Sequence, residues 1–348
     1  MHDHTGVSCL DNLQRPLHDL RISVTDRCNL RCTYCMPGEV FGRHFVFLRH
    51  AELLSFEEIA RVARQCIALG VRKIRLSGGE PLLRHGIERL VEMLAELHND
   101  DGKPIELAMT SNGTLLAKKA RALKDAGLMR LNISLDALDE HIFRRITGDR
   151  VSPEVVLEGI AAAQSVGLTP VKVNAVVKRG INESEILPLV RCFRHTGVIM
   201  RFIEYMDVGN TNGWRLDDVV TAREILAVID REHPLVPIVP STKGEGVAER
   251  WALQDGSGEI GVITSVTQAF CHTCSRLRLS TDGKLYTCLF ATKGADLRAL
   301  LRDPSGCDAT LRQRIAAIWR CRTDRYSQLR HEMTEAPPGR IEMSYIGG

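Results

Sequence analysis

The chain has 348 residues, of which 44% are hydrophobic and 26% charged, and its formal net charge is +3. Length and apolar content predict a stable globular protein with one barrel-sized domain and a smaller second one. The near-balanced charge argues against binding to duplex nucleic acid or to an anionic membrane. No run of residues approaches the about 20 apolar residues of a membrane helix, and the start of the sequence lacks a secretory signal. We therefore expect a cytoplasmic protein.

Short β-rich runs alternate with amphipathic stretches from Asp19 to Met206, which predicts βα units around a parallel sheet. Ser55 followed by Glu58 is typical of a helix start, and Gly70 of a helix end. The six predicted strands are residues 19–25, 72–77, 105–110, 130–135, 171–177 and 199–206. Six repeats predict an α/β fold built on an incomplete (β/α)6 TIM-like barrel.

The composition changes after Met206, where a polar loop is followed by a predicted helix at 219–232. A Pro- and Gly-rich passage then leads to short predicted strands near residues 251–253, 259–265 and 276–280. We therefore expect four parts. They are an N-terminal extension (1–18), the barrel (19–219), a smaller C-terminal cluster and substrate domain (220–336) and a tail (337–348).

Cys28, Cys32 and Cys35 follow the first predicted strand with C-x3-C-x2-C spacing. In a parallel barrel, the loops after the strands form the functional face. Three thiolates from one loop can hold three irons of a cubane, which leaves the fourth iron open to a small chelating molecule. The alternative is zinc, but a zinc site normally closes with four ligands and prefers paired two-residue spacings.

Cys271, Cys274 and Cys288 form a second trio in the C-terminal part. Here the spacing alone favours zinc, because His272 is available as a fourth ligand. Arg276 and Arg278 follow, two apart on a predicted strand and therefore on the same face. Near an open iron, paired guanidiniums would suit a phosphate-bearing or otherwise anionic substrate, although an ordinary solvated strand face is the alternative.

The first trio, with Tyr34 before its last cysteine, resembles the signature of the radical S-adenosylmethionine (SAM) superfamily. The glycine-rich segment at residues 77–81 resembles the superfamily motif that lines the methionine amino group of SAM. The resemblance implies that SAM chelates the open iron. An electron from the reduced cluster would then cleave the sulfonium to methionine and a 5'-deoxyadenosyl radical.

The two trios, the Arg-x-Arg sequence and the terminal Gly347-Gly348 together resemble the GTP 3',8-cyclase family of molybdenum cofactor biosynthesis, from about Leu17 to Gly348. This resemblance implies two 4Fe-4S clusters, with the second holding the guanine of GTP. The radical would take hydrogen from C3' of GTP, and attack on C8 would give (8S)-3',8-cyclo-7,8-dihydroguanosine 5'-triphosphate, in the first step of molybdopterin biosynthesis. We expect a reducing partner such as a flavodoxin or ferredoxin, and a monomer or homodimer.

Matching the family motif by motif implies three groups of site residues. The positions on the SAM side are Tyr34, Gly79, Ser134 and Met206. Those on the GTP side are Arg21, Arg75, Thr110, Lys172, Arg276, Leu277 and Arg278. Catalytic roles fall to Arg276, which would assist the final reduction and protonation, and to Gly347 and Gly348, whose terminus is thought to reach the active site. GTP itself rests on the resemblance, because the sequence contains no Walker-type G-x4-G-K-S/T loop.

Two other functions remain as alternatives. One is a radical SAM peptide-modifying enzyme with an auxiliary cluster, which the three-cysteine second motif disfavours. The other is a non-catalytic zinc-binding interaction module, which the absence of a basic, aromatic-rich stretch disfavours. The favoured hypothesis requires both cysteine trios to face one shared cavity.

Overall fold

The computed structural model of the chain describes residues 9–148, 150–239, 246–330 and 339–347. Within these ranges the strands are β1 (Asp19–Ser23), β2 (Lys73–Ser77), β3 (Glu106–Ser111), β4 (Arg130–Ser134), β5 (Lys172–Val177), β6 (Ile199–Glu204), β7 (Leu235–Pro237), β8 (Glu249–Leu253), β9 (Glu259–Ile263), β10 (Arg276–Leu279), β11 (Lys284–Tyr286) and β12 (Ala295–Asp296).

The helices lie mostly between the strands and after them. They are α1 (Phe56–Ile67), α2 (Ile87–Ala95), α3 (Leu116–Asp125), α4 (Glu140–Thr147), α5 (Pro153–Ser165), α6 (Ile186–Phe193), α7 (Ala222–Glu232), α8 (Arg298–Arg302), α9 (Asp308–Arg320), α10 (Tyr326–Leu329) and α11 (Met343–Ile346). None of the described helices is long and apolar enough to span a bilayer.

All described strands belong to one sheet, in the order β12-β11-β10-β1-β2-β3-β4-β5-β6-β9-β8-β7. Strands β1 to β6 are parallel neighbours in sequence order, β10 adds in parallel beside β1, and β9 adds in parallel beside β6. The remaining strands form antiparallel hairpins at the edges. The predicted incomplete barrel is confirmed, and each of its six strands lies within two residues of its predicted bounds.

The first helix starts and ends where the sequence indicates. Ser55 Oγ accepts a hydrogen bond from the Glu58 amide at 3.1 Å, and the Glu58 carboxylate accepts one from the Ser55 amide at 2.7 Å. Gly70 follows the helix with φ of 109°, a conformation that favours glycine. The Ser55–Glu58 pair at the start of the helix and the glycine at its end both help to satisfy backbone groups that have no partner within the helix.

The strands carry buried apolar side chains on the outer face of the sheet, which the helices cover, and polar side chains on the inner face. Leu20 and Ile22 of β1 are fully buried in the hydrophobic core with Ile74 and Leu76 of β2, where the helices pack. The alternate positions of the same strands carry arginine and serine. Strands of a parallel sheet are usually apolar on both faces, so this polar inner face indicates a binding cavity.

The C-terminal strands extend the barrel sheet at both of its edges. Strand β9 pairs with β6 from Ile199 opposite Glu259, and β10 pairs with β1 from Asp19 opposite Arg276. The second cysteine trio is therefore attached to the same sheet as the first. The predicted domain boundaries stay a prediction.

Candidate active site

A cavity of about 310 Å³ runs through the inside of the barrel, and all six cysteines of the two trios line it. Each trio lies in a loop next to a strand of the sheet, the first after β1 and the second around β10 and β11. Because β10 runs parallel to β1 with Arg276 opposite Asp19, the second trio lies where the parallel strands begin and the first trio lies beyond their ends, so the two trios face the cavity from opposite ends of the barrel. The structure thus brings together two motifs that are about 240 residues apart in the sequence.

The first trio sits in a loop that is fixed by backbone contacts. Arg31 Nη1 donates to the carbonyl oxygens of Cys28 and Leu30, both at 2.7 Å. Glycine is required opposite, because a Cβ on Gly79 would overlap the carbonyl oxygen of Arg27. The glycine-rich segment therefore packs directly on the cysteine loop, and Gly79 lines the cavity, while its place on the SAM side stays a prediction.

Tyr34 also lines the cavity, and a buried carboxylate holds its ring in place. The hydroxyl of Tyr34 donates to Asp136 Oδ2 at 2.7 Å, while Asp136 Oδ1 accepts from the Val176 amide at 2.8 Å. Burial raises the pKa of Asp136 to about 6, against the lowering effect of these hydrogen bonds. The other predicted SAM-side residues, Ser134 and Met206, border the same cavity.

Cys274 of the second trio lies against cationic side chains. Arg322 donates to the Cys274 carbonyl oxygen at 2.6 Å and to its Sγ at 3.2 Å. Burial alone would raise the pKa of this thiol, but Arg276 and Arg322 outweigh it and lower the pKa to about 6. The thiolate, which is the form that binds metal, is thereby favoured at neutral pH.

The donor set of each trio fits a cubane with one open iron. All eleven cysteines of the chain are free thiols, and His272, the expected fourth ligand of a zinc site, is exposed and does not line the cavity. In the described part of the chain, no three His, Cys, Asp or Glu side chains are arranged to hold a metal ion as they stand. Three thiols in each of two trios at one cavity match the incomplete ligation expected for two clusters.

Five arginines of the inner face form what we call the basic belt: Arg21, Arg75, Arg201, Arg276 and Arg278. Among the described residues none of them forms an ion pair with a carboxylate. Burial, together with the charges of Arg278, Arg75 and Arg276, holds the pKa of Arg21 well below its ordinary value. Arg278 is buried and the other four are half-buried, and cations so placed that repel one another cost free energy unless an anion binds among them.

Asparagines connect part of the basic belt. With its amide oriented so that the oxygen faces the belt, Asn132 accepts hydrogen bonds from both Arg75 and Arg201. Arg201 Nε also donates to Asn174 Oδ1 at 3.0 Å, and Arg75 donates to Thr110 Oγ1 at 3.3 Å. Of these, sequence reasoning missed Asn132, Asn174 and Arg201. The available signal was the two-residue strand period, since Asn132 precedes Ser134 by two and Asn174 follows Lys172 by two.

Two predicted GTP-side residues are placed differently from the rest. The side chain of Leu277 is fully buried in the hydrophobic core, because it alternates along β10 with Arg276 and Arg278. The prediction for Leu277 can therefore concern only its backbone. Lys172 does not border the cavity, and burial together with Arg201 and Arg130 lowers its pKa to about 8.

The C-terminal tail enters the barrel. Arg278 donates a hydrogen bond to the carbonyl oxygen of Gly347, which is buried with φ of 72°, and a Cβ at this position would overlap the Ser77 hydroxyl. Gly348 lies outside the described residues. The predicted approach of the terminus to the cavity is thus seen at Gly347, whereas a catalytic role for either glycine stays a prediction.

A carboxylate that sequence reasoning missed fastens this tail. Asp207, directly after Met206, accepts from the Tyr326 hydroxyl at 2.6 Å and pairs with Arg330 at 2.7 Å. It also pairs with Arg340 of the tail. Burial would raise the pKa of Asp207, but the Tyr326 hydrogen bond and the two arginines hold it below its ordinary value.

Comparison with known proteins gives two family models and close relatives. The Radical SAM superfamily model matches residues 22–193, and the Molybdenum Cofactor Synthesis C model matches residues 198–328. A GTP 3',8-cyclase of Acidothermus cellulolyticus is 52% identical, over 97% of this chain and 98% of its own. A GTP 3',8-cyclase of Staphylococcus aureus is 48% identical, also over 97% of this chain and 98% of its own.

Solved structures agree on the fold. Streptococcus suis SuiB bound to S-adenosylmethionine superposes with a TM-score of 0.62 at 16% identity, covering 95% of this chain and 76% of that chain. A likeness at this level of identity concerns the fold alone.

Proposed function

Because this chain belongs to the GTP 3',8-cyclase family of radical SAM enzymes, we propose that its two cysteine trios and basic belt carry out that reaction in the cavity they share. The chain is a radical SAM lyase that converts GTP to (8S)-3',8-cyclo-7,8-dihydroguanosine 5'-triphosphate in molybdenum cofactor biosynthesis. Its cofactors are two 4Fe-4S clusters and SAM. The observation that carries the assignment of the site is that all six motif cysteines line one cavity.

Cys28, Cys32 and Cys35 would hold the first cluster, which with SAM supplies one-electron cleavage of the sulfonium and a radical able to abstract hydrogen. Around this cluster, the protein would position SAM and shield the radical. Gly79 lets the glycine-rich segment pack directly on the cysteine loop, where a Cβ would overlap the Arg27 carbonyl oxygen, and its backbone would line the methionine end of SAM. Tyr34, fixed by Asp136, offers a rigid face for the rest of the cofactor, with Ser134 and Met206 completing the wall.

Cys271, Cys274 and Cys288 would hold the second cluster, beside the side chains proposed to bind GTP. Arg276 and Arg278 directly follow Cys274 of this trio and precede Cys288, and we place the guanine near them. Arg276 would then assist the protonation that ends the reaction. Arg21, Arg75 and Arg201 offset the charge of the triphosphate, because guanidiniums bind phosphate oxygens through parallel hydrogen bonds. Thr110 orients Arg75, and Lys172 adds positive potential from outside the cavity wall.

An unpaired basic belt favours a polyanionic substrate over a peptide. A peptide would leave several largely buried guanidiniums without an anionic partner, at a cost that grows with each one. A triphosphate carries enough charge to pair with most of them. This distinction separates the proposed reaction from the peptide-modifying alternative without appeal to the fold, which both would share.

The reaction needs a one-electron donor, for which we propose a carrier protein of the flavodoxin or ferredoxin type. We place the enzyme in the cytoplasm, where thiols such as these remain reduced. We also propose that it acts as a monomer or homodimer, and that residues 220–336 form a cluster and substrate unit on the barrel 19–219.

One anaerobic experiment tests the function against both alternatives. Iron and zinc are measured in the purified protein, which is then reduced and incubated with SAM and GTP, and the products are analysed for 5'-deoxyadenosine and the cyclised nucleotide. We expect iron in both sites and GTP-dependent formation of both products. Zinc without iron would instead indicate an interaction module, and SAM turnover on a peptide but not on GTP would indicate a peptide-modifying enzyme.

A further inference from the structure

The loop that follows the first cysteine trio exposes apolar side chains. Val46 is 88% exposed, Val40 45% and Phe45 38%. The same loop contains an aromatic cluster in which the Phe45 ring lies 4.6 Å from that of Phe41 and 4.8 Å from that of Phe47. Clustered exposed apolar residues on a rigid base are typical of a binding surface rather than of an ordinary loop.

The same surface is basic. Residues 27–50 contain four arginines and one acidic residue, whereas the whole chain is nearly balanced, with 46 basic and 43 acidic residues. Arg27 and Arg43 are exposed, and neither forms an ion pair among the residues that the structure describes. Arg49 is exposed too, although it pairs with Glu52. An apolar centre with a positive rim fits a partner of opposite charge.

A short path connects this surface to the first trio. The guanidiniums of Arg27 and Arg31 lie over the Phe47 ring, 5.4 and 5.9 Å from its centre. Arg31 also donates to the carbonyl oxygen of Cys28 at 2.7 Å. One arginine side chain therefore separates the aromatic cluster from the backbone of a proposed cluster ligand.

We propose that Arg27, Val40, Arg43, Phe45 and Val46, which we call the loop patch, form the docking surface for a small acidic one-electron carrier protein. The proposal rests on the proposed function, in which the first cluster must receive an electron. The reduced carrier donates one electron and leaves in its one-electron-oxidised form, and the cluster gains that electron. No proton or atom is transferred in this step.

Charge complementarity favours such a carrier over a second copy of the chain. Two copies meeting through the same patch would bring like-charged arginines together, which costs several kcal/mol in an interface. An acidic carrier instead gains from the basic rim during approach, and the apolar centre is suited to a weak, transient complex. Fast release matters, because the carrier must leave after each electron.

The test compares an Arg43→Glu, Val46→Ser double variant with the wild type, both loaded with clusters. Reduced flavodoxin, an acidic flavoprotein, and dithionite are used as alternative electron sources for GTP cyclisation. Binding of oxidised flavodoxin is measured separately by calorimetry. We expect the Kd and the KM for flavodoxin to rise about tenfold or more, with the dithionite-driven rate and the iron content unchanged.

Two comparisons make the outcome specific. An Arg223→Glu variant, on the exposed side of α7, reverses one charge elsewhere and should leave the flavodoxin Kd unchanged. Raising the salt concentration should weaken flavodoxin binding to the wild type much more than to the double variant.

An unchanged Kd in the double variant would overturn the proposal. So would loss of a dimer in sedimentation while flavodoxin binding stays intact, since the patch would then join two copies of the chain. Failure of the proposed function looks different, because wild-type protein would then form no cyclised nucleotide even with dithionite. In that case the flavodoxin Kd of the variant still decides the docking proposal.

Discussion

Arg340 of the C-terminal tail lies with its Nη1 2.9 Å from Oδ2 of Asp207, in an ion pair whose side chains are only 9% and 5% exposed. Asp207 directly follows Met206 of the proposed SAM side, and its other partners, Tyr326 and Arg330, belong to the C-terminal part. One buried carboxylate thus connects the end of β6 to the segment that carries Gly347 into the cavity. The tail is held in place several residues before its functional end.

Replacing Arg340 by glutamine should loosen the tail while leaving Asp207 paired with Arg330. We expect the rate of GTP cyclisation to fall about tenfold, because losing about 1.4 kcal/mol of positioning corresponds to that factor. Iron content should stay at the wild-type level. The measurement is product formation by chromatography, with Arg325→Gln, an exposed position nearby, as the control. Equal rates in both variants would show that the ion pair does not position the tail.

Gly347 and Gly339 provide a matched pair for testing the tail itself. Both have positive φ, 72° and 73°, but only a Cβ at Gly347 meets another atom, the buried hydroxyl of Ser77. Gly347→Ala should therefore displace the tail and reduce cyclisation at least tenfold, whereas Gly339→Ala carries a similar backbone cost without the clash. Comparable activity of the two variants would mean that backbone strain, and not the fit at Ser77, governs the tail.

The six barrel strands could be predicted from sequence because each is a short run rich in β-branched or apolar residues. The two-residue alternation is strict in β1, β2 and β4, whereas β3, β5 and β6 contain adjacent apolar residues. The helix start at Ser55 was equally accessible, since capping depends on residues three apart. These features are local in the chain. The six cysteines proposed as cluster ligands were also singled out by local spacing, together with the resemblance to a known family.

The features that were missed depend on contacts between distant segments. Asp207 and Arg340 are 133 residues apart, and Tyr34 and Asp136 are 102 apart. No spacing rule indicates that such carboxylates will be buried beside those partners. Arg201 is an intermediate case. The position of Arg201 along β6 predicts on which face of the sheet its side chain lies, but only the closed sheet shows that this face lines the cavity.

Cys271→Ser tests the second cluster without relying on activity. Loss of one of three thiolate ligands should release the second cluster, so iron should fall from about eight to about four atoms per chain. The matched control is Cys192→Ser, an exposed thiol on α6 outside both trios, which should keep all of the iron. Iron analysis and the visible absorption of the clusters measure the result. Full iron content in Cys271→Ser would exclude this residue as a ligand.

Lys172 predicts a pH dependence of GTP binding. Burial and the nearby Arg201 and Arg130 lower its pKa to about 8, below the ordinary value for lysine. Its positive charge is present below pH 8 and is lost as the pH rises through that value, so the KM for GTP should rise across the same range. A Lys172→Met variant should have a higher KM at pH 7 and a flatter profile. A wild-type KM that stays constant from pH 7 to 9 would contradict a role for Lys172 in binding GTP.

Arg21 gives the sharpest separation between stability and function. Its guanidinium is half-buried beside Arg278, Arg75 and Arg276 and forms no ion pair among the described residues, so the protein without ligand bears part of the cost of an uncompensated charge. Arg21→Met removes that charge while keeping an apolar stem. The free energy of unfolding without GTP should therefore rise by about 1 kcal/mol or more, and thermal unfolding should shift up by about 2 °C or more.

The stabilisation that GTP gives to the wild type should disappear in the variant, because the triphosphate loses a partner. Arg121→Met, at an exposed position on α3, should alter neither quantity. If Arg21→Met instead destabilises the protein without ligand and keeps the full GTP effect, then Arg21 supports the barrel wall and does not bind the substrate.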